Sequence, residues 1–236
     1  MALDQALLDL AQHGTPYLRL YTWSPHCLSF GRHEPALRRY DRARIVREGT
    51  DCVRRPTGGR AVWHARELTY AVAAPLGLLG GLRSAYARIH AMLAGALERL
   101  GARPTLAPVE RAMSPGAGPC FSGAAGGEVL LAGRKVAGSA QLREGSAMLQ
   151  HGSLLLEDDQ SLVRSLATPA DATPGEIPLS TALGRTIPFD EAAAAVVAAA
   201  PEFLGPLTGR GDPAGLAEAA ERHAVRFRDP AWTWQR

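Results

Sequence analysis

A thiol, an ammonium group and two imidazoles are the side chains of this sequence best suited to covalent chemistry. Cys120 lies in a stretch rich in Gly, Pro, Ser and Ala between Pro108 and Gly127. Cys27 and Cys52 fall in apolar segments, where a cysteine behaves as a small hydrophobe. A thiol of pKa about 8.5 is mostly protonated at neutral pH, so a working nucleophile needs a base or a cation nearby. Lys135 and His64 are the candidates. Lys135 stands in Gly133-Arg134-Lys135-Val136-Ala137-Gly138-Ser139-Ala140-Gln141, where small neighbours let a ligand approach the backbone closely; the plainer alternative is a solvated lysine after a turn. His64 either donates to an acyl carbonyl or is a hydrogen-bonded structural residue. His151, in Leu149-Gln150-His151-Gly152-Ser153, is expected to be a buried strand residue satisfying a neighbouring backbone group. Metal ligation by His64 and His151 is not expected.

These side chains need a scaffold. Leu3, Ala6, Leu7 and Leu10 recur at helical spacing before Gly14 and Pro16, which predicts an amphipathic helix over 2–12. Residues 17–22 and 27–31 read as strands around a Ser24-Pro25 turn, residues 36–47 as a helix, and 51–55 as a short strand. The Gly58-Gly59 loop follows, and 67–74 resumes strand character. Residues 82–100 give the clearest helix, with Leu82, Ala85, Ile89, Leu93 and Leu97 near one face and Gly101 as its stop. The stretch around Cys120 predicts an exposed loop. Strands over 128–132, 135–142 and 147–156 then predict a meander with turns at Gly133-Arg134 and Glu144-Gly145. From Glu157 the chain reads as mainly helical, around Leu162, over 191–200 and over 214–222.

With 236 residues and a hydrophobic fraction of 46%, one domain with a sizeable core is expected. The net charge of +3, from 26 basic and 23 acidic residues, gives no indication of nucleic-acid binding. A pI near 9 is compatible with mild attraction to an acidic partner, small acidic carrier proteins included. Three cysteines without CxxC spacing point to neither a disulfide framework nor structural zinc. A reducing, cytoplasmic setting is expected, without a membrane segment, since no run approaches the roughly 18 apolar residues that span a bilayer.

The diglycine alone is a weak signal, because it is neither a Walker loop nor a dinucleotide fingerprint. The combination is more telling. Arg54-Arg55-Pro56-Thr57-Gly58-Gly59-Arg60 is followed by His64, Glu67-Leu68-Thr69-Tyr70, Cys120-Phe121, the Lys135 segment and His151-Gly152-Ser153. In this order the motifs resemble those of the biotin/lipoate protein ligase superfamily, and within it are most similar to the cysteine-dependent octanoyltransferases. The resemblance implies an α+β fold, a mixed β-sheet flanked by helices, of the class II aminoacyl-tRNA synthetase and biotin ligase type. It implies one catalytic domain over 1–236, with the family's first strand expected ahead of the Met1 helix and lacking here. It implies Cys120 and Lys135 as catalytic groups, and Arg55, Gly58, Gly59, Arg60, His64, Gly138, Ser139, Ala140 and His151 around the acyl substrate, in an apolar tunnel beside the Gly58-Gly59 loop. His64 either helps deprotonate Cys120 or shapes the pocket.

The implied reaction moves an octanoyl group from acyl carrier protein, through a cysteine thioester, to the lysine of a lipoyl-carrier domain such as glycine cleavage H protein or a 2-oxoacid dehydrogenase E2. No cofactor is implied. A ligase using ATP and magnesium is the nearest alternative, and an amidotransferase between lipoyl domains a second; Arg60, where ligases usually have a third glycine, and Cys120 favour the transferase. Ser122 and Ala65 stand where relatives usually have aspartate.

Overall fold

The computed structural model describes residues 1–108, 126–157, 160–168 and 175–235. The order is α1 (Ala2–Ala11), β1 (Tyr17–Tyr21), β2 (Cys27–Phe30), α2 (Ala36–Arg39), α3 (Arg42–Arg47), β3 (Asp51–Arg54), β4 (Val62–His64) and β5 (Glu67–Pro75). Then come α4 (Gly81–Arg99), β6 (Thr105–Leu106), β7 (Val129–Leu131), β8 (Arg134–Lys135), β9 (Ala137–Glu144) and β10 (Ala147–Leu155). The last elements are α5 (Ser161–Leu166), α6 (Leu179–Leu183), α7 (Phe189–Leu204), α8 (Pro213–Arg228) and α9 (Pro230–Thr233).

The main sheet is antiparallel, in the order β1-β5-β10-β9. Side chains alternate between faces along a strand, and β5 and β10 use both faces. Leu68, Tyr70, Val72 and Ala74 pack with Met148 and Leu154 against Ile89, Leu93 and Leu97 of α4, with α7 beyond. Ala71, Ala73, Ala147 and Leu149 meet Leu7, Leu8 and Ala11 of α1. Along that second face the register turns polar, to Thr69 and Glu67 on β5 and His151 and Ser153 on β10. The sequence alternation thus builds an apolar bed for α1 and, one strand length away, a polar floor.

The mixed pairing expected of the sheet is confined to a smaller one, β3-β2-β4, where β2 runs parallel to β3 and antiparallel to β4. The strands flanking Ser24-Pro25 therefore do not pair with each other: β1 joins β5 and β2 joins β3. The expected meander also divides. At Val136 the chain leaves a third sheet, β6-β7-β8, and enters the main one as β9. The expected helix over 36–47 breaks in two, because Tyr40 is extended and Asp41 caps α3 by accepting from the Arg44 amide at 2.9 Å. The helices expected at 2–12 and 82–100 and those after Glu157 are present.

Arg54 ties the segment after β2 to the C-terminal turn. Its fully buried guanidinium donates to the carbonyl oxygens of Gly31, Arg32 and Glu34, and to those of Trp232, Thr233 and Gln235. A buried cation is tolerable only with such donors satisfied. Here they fasten the C-terminal turn to the base of the diglycine loop.

Candidate functional site

The polar floor of the main sheet lies beneath the loop after β3. That loop is wound around Arg55, whose guanidinium donates to Ser29 O at 3.0 Å and Ser29 Oγ at 2.6 Å, and to the carbonyls of Gly58 at 3.2 Å and Arg60 at 2.7 Å. Gly31 is obligatory at this crossing, since a Cβ there would stand 1.9 Å from the Gly59 carbonyl oxygen. Between loop and floor is a pocket bordered by Trp23, Arg55, Val62, His64, His151 and the strand segments 138–140 and 152–153.

Two imidazoles on its wall are wired alike. His64 meets Glu67 Oε1 through Nδ1 at 2.7 Å and Ser29 Oγ through Nε2 at 2.6 Å. His151 meets Asp4 Oδ2 through Nδ1 at 2.9 Å and Thr57 Oγ1 through Nε2 at 2.6 Å. A carboxylate can only accept, so each Nδ1 carries the proton and each Nε2 accepts from the hydroxyl. This is the order of a hydrolytic triad, but Ser29 is fully buried and Thr57 nearly so, so neither hydroxyl is placed to attack a substrate. The relays hold the pocket wall. His64 also stacks on Trp23, with ring centroids 4.4 Å apart. His151 satisfies side chains, rather than the backbone group expected of it, because the odd-numbered face of β10 looks toward α1 and the loop.

Asp4 is fully buried, accepting also from Arg19 at 2.8 Å and Tyr21 at 3.0 Å. Burial works against its charge, yet the His151 hydrogen bond and the Arg19 guanidinium hold its carboxyl well below the usual range. Burial also pushes His151 below the usual imidazole range, despite the Asp4 carboxylate. Glu67 differs: Oε1 accepts from His64, from Thr69 at 2.5 Å and from Ser153 at 3.0 Å, while Oε2 is buried with no hydrogen-bond partner among the described residues.

Lys135 is only 3% exposed, which excludes the solvated alternative. Its Nζ donates to Glu128 Oε1 at 2.6 Å. Its backbone is held from both sides, by Leu130 of β7 and by residues 175–177, since Lys135 N donates to Gly175 O and Ile177 N to Lys135 O. The ammonium is thus an immobile charge. It does not border the pocket, although Gly138, Ser139 and Ala140, farther along, do. Gly58, Gly59 and Arg60 do not border it either; Gly59 is exposed, and Arg60 reaches within 3.9 Å of Glu34.

The Ser139 side chain turns to the α4 face, where it sits 2.6 Å from Tyr70 Oη and 2.7 Å from His90 Nε2. Gly152 pairs across from Ser139 because a Cβ there would lie 2.9 Å from the Tyr70 ring. His90 donates from Nδ1 to the Gly127 carbonyl at 2.6 Å. Burial, with some help from the Lys135 charge, lowers its pKa to about 4, so it is neutral and Nε2 accepts from Ser139.

Cys27 and Cys52 carry the structural role expected of them: burial first, then neighbouring Asp51 and, for Cys27, Cys52, push both thiols up to about 12. Cys120, with Phe121 and Ser122, lies outside the described residues, as does most of the loop expected around it. Among the described residues no group of three or more His, Cys, Asp or Glu could hold a metal ion, and no helix is long and apolar enough to cross a membrane. Sequence reasoning assigned no role to Asp4, Ser29, Thr57, His90 or Glu128. Glu67 and Thr57 lay within quoted motifs, which was a signal; Asp4 and His90 sit in ordinary helices and gave none.

Comparison with known proteins shows the family of the chain. The model of the lipoyl protein ligase A/B catalytic domain matches residues 1–200. Octanoyltransferase LipM of Exiguobacterium sibiricum is 33% identical over 264 residues, covering 100% of this chain and 94% of that protein. Octanoyltransferase LipM of Carboxydothermus hydrogenoformans is 39% identical over 148 residues, covering 61% of this chain and 55% of its own, so here the chain spans little more than half the relative's length. Among solved structures, lipoate-protein ligase A bound with ATP superimposes with a TM-score of 0.82 at 20% identity, over 99% of this chain and 92% of that one. At that identity the likeness is one of fold.

Proposed function

Because the chain belongs to the lipoyl protein ligase A/B catalytic-domain family, we propose that it is an octanoyltransferase that moves an octanoyl group from acyl carrier protein to the lysine of a lipoyl-carrier domain, the H protein of glycine cleavage or an E2 subunit, through Cys120. The observation that carries this reading is the 33% identity to a protein named octanoyltransferase along the entire chain. Cys120 and the fixed Lys135 ammonium suit it chemically.

In the first half-reaction the Cys120 thiolate attacks the thioester carbonyl, the C–S bond to the carrier breaks, and the carrier thiol leaves with the proton lost from Cys120. In the second, the neutral lysine amine of the acceptor attacks the enzyme thioester, an amide forms, and Cys120 recovers a proton as the amine loses one. Thioester energy is conserved, so no nucleotide and no cofactor enters the cycle. The resemblance assigns Lys135 the oxygen that becomes negative in each tetrahedral intermediate; from its place outside the pocket, with Nζ on Glu128, it acts on that oxygen as a fixed charge rather than by contact. His64 and His151 shape the wall of the acyl site through their relays.

Intact-mass measurement after mixing with octanoyl carrier protein, with and without ATP, tests the reading. A gain of one octanoyl group without ATP, lost in Cys120→Ser, is expected. Modification of lipoyl domains only with ATP and free octanoate would establish a ligase instead, and transfer only from an acylated lipoyl domain an amidotransferase.

A further inference from the structure

Charge is distributed unevenly over the chain. Residues 32–47 hold Arg32, Arg38, Arg39, Arg42, Arg44 and Arg47 against Glu34 and Asp41. This segment of sixteen residues therefore carries four net positive charges, more than the +3 of the entire chain. Its acids do little to offset the surface. Glu34 is 3% exposed and faces Arg39 at 3.7 Å and Arg60 at 3.9 Å, with Arg54 and Arg55 also acting on its carboxyl. Asp41 is engaged as the cap of α3, and Glu48, just past the segment, pairs with Arg44 at 2.6 Å, which leaves three net positive charges over 32–48. Arg38, Arg42 and Arg47 are exposed, and the aliphatic side chains of Leu37 and Val46 are exposed among them, at 48% and 67%.

The segment abuts the diglycine loop. Arg32 N donates to Thr57 O at 2.8 Å, Gly31 sits against Gly59, and Arg60 leans toward Glu34. Arg226, from α8, is close enough to Arg32 for the like charge to weigh on it. Like charges gathered at an exposed rim cost stability in the isolated protein, and an anionic partner relieves that cost.

We propose that α2, α3 and the adjoining loop form the docking face for the acyl donor, an acidic carrier domain whose thioester hangs on a phosphodiester-linked arm. This rests on the octanoyltransferase reading. The donor is favoured over the acceptor by charge: an arginine rim attracts an anionic arm and an acidic surface, whereas the acceptor must bring a lysine ammonium. Leu37 and Val46 supply the apolar contact that a polar rim surrounds in a transient interface.

The test compares wild type with Arg38→Glu/Arg47→Glu, two exposed positions apart from the relays, and with Arg103→Glu as an exposed control outside the segment. Binding of octanoyl carrier protein, followed by fluorescence anisotropy, is measured beside the rate of self-acylation from that donor and from a small octanoyl thioester lacking a carrier. Circular dichroism checks folding. The expected result is an affinity and a carrier-dependent rate about tenfold lower in the double variant at low salt, converging with wild type as salt is raised, since exposed charges are screened over roughly 10 Å at 0.1 M. The rate from the small thioester and the behaviour of Arg103→Glu stay at the wild-type level.

Unchanged carrier binding in the double variant overturns the proposal, as does an equal loss in Arg103→Glu, a defect confined to the lipoyl acceptor, or tighter binding of nucleic acid than of the carrier. If wild type takes octanoyl from neither donor, the octanoyltransferase reading fails, and the binding measurement still decides the docking face.

Discussion

The two faces of the main sheet carry buried polar chains of different kinds. On the α1 face each chain ends on a carboxylate: Thr57 to His151 to Asp4, and Ser29 to His64 to Glu67. On the α4 face the chain is neutral throughout. Gln141 donates to Gln150 and to Leu82 O, Gln150 to Tyr70, Tyr70 to Ser139, Ser139 to His90, and His90 to Gly127 O. From Gln150 to Gly127 each donor points the same way along the chain, because the neutral imidazole leaves a single consistent assignment. The difference teaches where charge is stored. The loop side uses carboxylates to lock imidazoles beside the pocket, and the α4 side links uncharged groups.

Asp4→Asn should break the comparison most sharply. Both oxygens of Asp4 accept, from Arg19, Tyr21 and His151, so an amide group must point at a donor and leave Arg19 uncompensated. A loss of about 3–5 kcal/mol is expected in urea denaturation. A loss under 1 kcal/mol would show the carboxylate to be dispensable.

Acidification probes the other face. The native pKa of His90 is about 4 and the unfolded value about 6.5, so between these the unfolded chain binds more protons and stability rises with pH. This contribution is complete above about pH 6.5 and is lost as pH falls toward 4; at roughly 1.4 kcal/mol per unit it amounts to about 3 kcal/mol. His151, also lowered, acts in the same direction. Denaturation across this range in wild type and His90→Gln should give a shallower slope in the variant. Equal slopes would remove His90 from the account.

Tyr70→Phe interrupts the neutral chain and strands the Gln150 amide, at a cost of about 1–2 kcal/mol; hydrogen exchange at strand β10 would locate it. The smallest effect is expected for Glu67→Gln, under about 1 kcal/mol, because Oε1 keeps its three donors and the new amide replaces an oxygen that has none. A loss as large as that of Asp4→Asn would mean the two carboxylates are equivalent after all.

Much of the site was legible beforehand. The motifs named His64, His151 and segment 138–140, and the structure brings them to one pocket. Two features were not legible. The plain alternative for Lys135, a solvated side chain after a turn, could be dismissed only with Glu128 in view, seven residues earlier and just ahead of strand β7. His151 takes its partners from Asp4 and Thr57, 147 and 94 residues away, and no local pattern encodes such a pairing.

The sequence by itself determined the elements, their alternation and the chemistry available, because helix and strand periods and motif spacing are local properties of the chain. It did not decide that β1 and β2 join different sheets, that the 36–47 helix breaks at Asp41, or that Arg54 is caged by carbonyls of the segment after β2 and of the C-terminal turn. Those depend on which surfaces meet, and a buried ion or imidazole takes whatever partner the fold brings within hydrogen-bond reach.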